Sequence, residues 1–179
     1  AILGDFFDIV SLREAGVESD PEETGKTFEE NARIKAVAGM KASGMPCIAD
    51  DSGLEVLALD CRPGVMSARY SGSHGDDAAN NEKLLAELAD KPDRSARYVC
   101  VICMAFPDGR ELEARGECYG EILKEKRGNG GFGYDPLFYF PQFGKTFAEI
   151  SSEEKNEVSH RNAALKAFEK LWEKEINDK

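Results

Sequence analysis

Two periods of apolar patterning run along the chain. Short runs rich in β-branched and aromatic residues predict strands, and longer stretches with apolar positions three and four apart predict helices. "FFDIVSL", residues 6–12, reads as a strand, and "VESDPEETG" follows as an acidic turn. Residues 27–43, "TFEENARIKAVAGMKAS", read as a helix ended by Gly44 and Pro46. Phe28, Ala32, Ile34, Ala36, Val37, Ala38 and Met40 put apolar or small side chains nearly all round it, which predicts burial on most sides. Its polar members Glu30, Asn31 and Lys35 therefore do not read as a solvated face.

Strand-like pieces at 47–50 and 53–58 flank "DDSG", and "DCRPGVMSARYSGSHG" reads as a long turn. Residues 76–90 predict a second helix. "ARYVCVICMAFP" (96–107) predicts a long strand, turned by Pro107-Asp108-Gly109 into the hairpin partner "RELEARGECYGEI". A glycine-rich loop, "RGNGGFGYDP", leads into "LFYF". Ser151 and Glu154 carry a capping pattern, and a last helix is expected over about 159–176 with Leu165, Phe168, Leu171 and Trp172 as its apolar stripe. Helices mixed with long, antiparallel-looking strands define an α/β or α+β protein.

Composition narrows the function classes. The 179 residues suit one domain or a two-lobed unit, and the 41% hydrophobic and 32% charged shares are ordinary for a soluble globular chain. No apolar run is long enough to span a membrane, and "AILGDFFDIV" shows no basic leader, so a cytoplasmic protein is expected. A net charge of −11 argues against broad nucleic-acid binding, and it means that any anionic small ligand needs a local basic pocket or a metal ion. Cys47, Cys61, Cys100, Cys103 and Cys118 are odd in number and fit no disulfide framework. Cys100 and Cys103 are three apart in a strand, hence on opposite faces, and all five read as reduced, buried thiols.

Four features carry candidate chemistry. The adjacent carboxylates Asp50 and Asp51 repel each other unless a cation or donors intervene, and Mg²⁺ takes carboxylate oxygens together with substrate phosphates; the plain alternative is a solvated turn. Glu30 is either a metal-binding carboxylate or the N3 member of a capping box with Thr27. In "GNGGFGYDP" the glycines permit close backbone approach, and Phe132 or Tyr134 suits stacking on a base, unless both aromatics fill the core. Lys155, His160 and Arg161 gather at the expected start of the last helix, where cations oppose the macrodipole and so read as ligand donors.

Taken in order, "TGKTFEENARIKA", "ADDSGLEV", "PGVMSARYSG", "GGFGYDPLF" and "EEKNEVSHRNAALKAF" closely resemble the inosine triphosphate pyrophosphatase family, over nearly the whole chain from residue 24 onward. The resemblance implies a single two-lobed α/β domain: a mixed sheet flanked by helices, with a nucleotide cleft between the lobes. It implies a homodimer and Mg²⁺-dependent cleavage of non-standard purine nucleoside triphosphates to monophosphate and pyrophosphate. By matching position, Asp51 corresponds to the proton acceptor and a metal ligand, Glu30 to a second metal ligand, and Ser52 to a substrate contact. Phe132, Gly133, Tyr134 and Asp135 correspond to the nucleotide-contacting loop, and Lys155, His160 and Arg161 to the base readers. Lys35 is placed toward the triphosphate.

The family opens with a strand and a Ser/Thr-x-Asn-x-x-Lys loop that grips the triphosphate. This sequence holds no such motif, and its opening residues read as text from after it, so the chain is expected to begin downstream of that segment. Two other readings stay open at this stage. One is a nucleotide-binding module without catalysis, and the other is a related pyrophosphatase acting on pyrimidine or modified nucleotides.

Overall fold

The computed structural model describes Gly4 and residues 6–177. Helix α1 spans Phe28–Ser43, β1 Cys47–Val56, β2 Arg62–Pro63, α2 Asp77–Glu87, β3 Ser95–Ala105, β4 Glu111–Ile122, β5 Phe138–Phe140, β6 Lys145–Thr146, α3 Ser152–Val158 and α4 His160–Asn177. The strands form a six-stranded sheet in the order β2-β1-β3-β4-β5-β6, with antiparallel ladders between β1 and β2, β4 and β5, and β5 and β6. The α/β class expected from the pattern is the class observed.

The chain separates into two compact units. The first comprises the residues up to Ser52, Cys100–Gly116 and those from Arg161 onward; the second comprises Gly53–Val99 and Glu117–His160. The first has its own core of Cys100, Ile102, Met104, Phe106, Ala114, Ala164 and Phe168. The second is built round Leu54, Val56, Leu84, Leu88, Tyr98, Leu137, Phe138 and Phe147. Each large apolar side chain so buried contributes about 1.5–3 kcal/mol.

Local sequence explains the elements that carry the site. Thr27 caps α1, its hydroxyl accepting from the Glu30 amide, and Gly44 ends it in the left-handed region. Such a cap contributes about 1 kcal/mol. The helix is buried along one stripe, Phe28, Ala32, Ala36 and Gly39 with Asn31 beside it, while Ile34, Val37, Ala38 and Met40 are half-buried. Burial on most sides is therefore corrected to burial on one. In α4, Leu171 lies outside the stripe and is exposed, whereas Phe168 is fully buried.

Three further expectations are corrected. Residues 6–12 form no strand. A strand needs a ladder partner for its amides and carbonyls, and the sheet takes none from this segment. The chain turns instead, with the Val17 amide donating to the Leu12 carbonyl at 2.8 Å and Glu14 accepting from the Ser11 amide and hydroxyl. "DDSG" is not a turn: β1 runs through it without a break, and Gly53 is a buried mid-strand residue. Cys61 is an exposed thiol, while Cys100, Cys103 and Cys118 are buried.

Candidate active site

Because β1 is continuous, Asp50 and Asp51 point to opposite faces. That resolves the repulsion: each carboxylate meets a different cation. Asp51 is buried and accepts from Lys35 Nζ at 2.7 Å and from Asn31 Nδ2 at 3.4 Å. Asn31 and Lys35 are four apart on α1, so one helix face supplies both donors. Lys35 is shared, with Glu23 Oε1 at 3.0 Å from the same Nζ. Asn31 is fully buried and its Oδ1 accepts from the Gly25 amide at 2.8 Å, which fixes its amide toward Asp51.

Burial pushes the Asp51 carboxyl above its ordinary value of 3.8, and the Lys35 contacts offset only part of that rise. For Lys35, burial works against the ammonium, but Asp51 and Glu23 outweigh it and hold the charge. The two directions agree, because one lysine serves two carboxylates.

Glu30 is exposed, and its Oε2 accepts from the Lys26 amide at 2.5 Å. It thus completes the helix start one residue earlier than a standard capping box. Asp50 is exposed and accepts from Ser52 Oγ at 2.9 Å and Arg161 Nε at 3.3 Å, with Cys100 Sγ at 3.8 Å. Burial pushes the Cys100 thiol to about 11, so it is an inert neighbour. A cavity of about 820 Å³ opens beside Lys35 and Glu23, walled mainly by apolar side chains including Phe7, Ile48, Met104 and Trp172.

In the second unit the loop before β5 is organised round Asp135, which is 1% exposed. Its Oδ2 accepts from the Phe132 amide at 2.9 Å and from Lys155 Nζ at 2.5 Å, and its Oδ1 from the Tyr98 hydroxyl at 3.2 Å. Gly131 has φ +72°, and a Cβ there would stand 2.2 Å from Asp135 Oδ2, so only glycine lets the loop close on this carboxylate. Lys155 Nζ lies 4.2 Å from the centroid of the Phe132 ring, which is 62% exposed. Tyr134 is buried, and its hydroxyl donates to the Ser67 carbonyl at 2.9 Å. Between the two aromatics, Phe132 is the one with a free face.

His160 is buried and stacks on Tyr98 at 4.9 Å with 16° between planes. The structure therefore brings Phe132, Asp135, Lys155 and His160 into one contact network through Tyr98, and it places Arg161 with Asp50 instead. Contrary to expectation, Lys155 does not begin the last helix: α3 is a separate helix opened by a Ser151–Glu154 capping box, and Lys155 sits in its last turn, where a cation is favourable. His160 and Arg161 do begin α4.

Glu23, Tyr98, Asp77 and Asn81 were not singled out by sequence. A signal existed for one of them: two consecutive asparagines inside a helix, Asn80-Asn81, are poor helix formers that earn their place through side-chain bonds. Asn80 Oδ1 accepts from the Ser71 amide at 2.7 Å, and Asn81 reaches the Gly133 carbonyl at 2.8 Å.

Fold and site together define an α/β protein with a buried, lysine-paired carboxylate on one strand and an aromatic, lysine-backed loop before another. The chain matches the Ham1 family over residues 1–171 and belongs to it. It is 59% identical over 165 residues to the dITP/XTP pyrophosphatase of Desulfotalea psychrophila, covering 92% of this chain and 74% of that one. It is 51% identical over 173 residues to the dITP/XTP pyrophosphatase of Clostridium perfringens, covering 92% and 85%. The solved structure of the Staphylococcus aureus Ham1 protein superposes with a TM-score of 0.91 at 45% identity, covering 97% of this chain and 91% of that one.

Proposed function

We propose that the protein hydrolyses non-standard purine nucleoside triphosphates (ITP, dITP and XTP) to the monophosphate and pyrophosphate, removing them from the nucleotide pool. Ham1 membership and relatives named dITP/XTP pyrophosphatase support the reaction. The observation that carries the chemistry is Asp51, a buried carboxylate with raised proton affinity whose cation is shared with a second carboxylate.

Asp51 accepts a proton from water, and the resulting hydroxide attacks the α-phosphorus. The bond from that phosphorus to the bridging oxygen breaks, and pyrophosphate leaves. Lys35 adds positive charge beside the reacting phosphates. Among the described residues no group of three or more His, Cys, Asp or Glu could hold a metal ion. Mg²⁺ in nucleotide sites takes only one or two carboxylates and fills the rest of its shell with phosphate and water oxygens, so binding here would depend on the substrate. Asp51 and Glu30 would hold the ion, and it would neutralise phosphate charge.

Base choice follows from donors. Hypoxanthine and xanthine carry an oxygen acceptor at position 6, where adenine carries an amino donor. By the family resemblance Lys155, His160 and Arg161 correspond to base readers, and donors there would suit the oxygen and leave the amino group unmatched. Lys155 and His160 share one network, whereas Arg161 pairs with Asp50. Phe132 stacks on the ring, with the Gly133–Asp135 backbone as its frame, and Ser52, bonded to Asp50, is a further substrate contact. A cytoplasmic homodimer is the setting the family resemblance implies.

Side-by-side kcat/KM values for ITP, XTP, dTTP and UTP test the reading. ITP and XTP are expected to lead. Preference for dTTP or UTP would replace this function with a pyrimidine-directed one, and binding without pyrophosphate release would reduce it to a nucleotide-binding module.

A further inference from the structure

Helix α2 has no assigned role in the reaction, yet Asp77 and Asn81 in its first two turns grip the loop before β5 from two sides. Asp77 Oδ2 accepts from the Gly133 amide at 2.6 Å. Asn81 Nδ2 donates to the Gly133 carbonyl at 2.8 Å and to the Asp77 carbonyl at 2.6 Å. Both polar groups of one residue are thus held by side chains four apart on one helix face. That residue is Gly133, at φ +60°, immediately after the exposed Phe132 ring.

The cost of this arrangement shows what it is for. Asn81 is 2% exposed, and its Oδ1 is buried with no hydrogen-bond partner among the described residues. A buried acceptor left unmatched is unfavourable, so the amide is retained for its two donated bonds. Asp77 is not needed as the helix cap, because Asp76 fills that position by accepting from the Ala79 amide at 3.0 Å.

We infer that Asp77 and Asn81 are positioning residues for base recognition. They lock the peptide units on either side of Gly133, while Asp135 holds the Phe132 amide, so the Phe132 ring stands at a fixed orientation to stack on a purine. The role in recognition rests on the proposed function, but the clamp itself does not.

Asp76 and Asp77 provide the test, because both lie at the start of α2 and only Asp77 touches the loop. In Asp77→Ala, hydrogen exchange of the Gly133 amide is expected to quicken roughly tenfold, and KM for ITP to rise roughly tenfold with kcat little changed. Asp77→Asn keeps an acceptor and should restore both, and Asp76→Ala should alter neither. In a Phe132→Ala background, Asp77→Ala should add no further rise in KM. Equal exchange in Asp76→Ala and Asp77→Ala would overturn the clamp. Faster exchange with unchanged KM, or an undiminished effect in the Phe132→Ala background, would overturn the positioning role. If the wild-type protein does not turn over ITP, the functional reading fails, while the exchange comparison still decides the clamp.

Discussion

Asp51 and Asp135 are both buried aspartates facing a lysine, but their surroundings balance charge differently. Asp135 receives three donors, from Lys155, Tyr98 and the Phe132 amide. Asp51 receives one short bond from a lysine that it shares with Glu23, plus a long one from Asn31. A buried carboxylate with a matched donor for each lone pair it turns inward is held in one geometry and suits a scaffold. One with too few donors has its proton affinity raised by burial and is suited to take a proton. The same residue type thus suits shape in one unit and, on the proposed function, proton transfer in the other.

The sharpest break in that comparison is Asp51→Asn. It should lower kcat by about 10²–10⁴-fold, the range for losing a general base, with the fold retained. Retention follows from the sign of the linkage. A carboxyl whose folded pKa is raised favours the fold below about 3.8, its unfolded value, and that contribution is lost as pH rises through the folded value. Ionised Asp51 is therefore a cost at neutral pH, and the neutral amide removes it. Comparable melting with near-wild-type turnover would take Asp51 out of the role of base.

Asp135→Ala should behave in the opposite way, with stability falling first. It leaves Lys155 and the Tyr98 hydroxyl buried without their acceptor, a loss of about 3–5 kcal/mol. Urea unfolding measures this, and an unchanged midpoint would contradict the scaffold role. Arg161→Ala should act more mildly, because its pair with Asp50 is half-exposed. The expected effect is a several-fold drop in the ITP:ATP ratio of kcat/KM, within the few kcal/mol that one polar contact provides.

The smallest effect is on titration. In the metal-free protein the Asp51 carboxyl should titrate above 3.8, and Lys35→Met should raise it further by removing the interactions that oppose burial. Carbon-detected NMR of the carboxyl reads both. A downward move in the variant would show that Lys35 does not stabilise the ionised form.

Much of this was legible in the sequence, for identifiable reasons. Thr27 and Gly44 mark α1, and a long apolar run with β-branched residues marks β3, because caps and apolar runs are local signals. "DDSG" misled because aspartate, serine and glycine favour turns, whereas here two long-range partners, Lys35 for Asp51 and Arg161 for Asp50, stabilise them in a strand. "FFDIVSL" misled because composition cannot supply a ladder partner. Phe132 and Tyr134 look alike in sequence, and only tertiary packing leaves the first exposed and buries the second. Glu23 and Tyr98 carried no local signal, since their roles depend on side chains far away in the chain.

Attack at the α-phosphorus has its most direct test in product stoichiometry. Full-length protein incubated with ITP and Mg²⁺ should yield inosine monophosphate and pyrophosphate in equal amounts. Release of orthophosphate with the diphosphate, or no release under conditions where ITP binds, would contradict attack at the α-phosphorus.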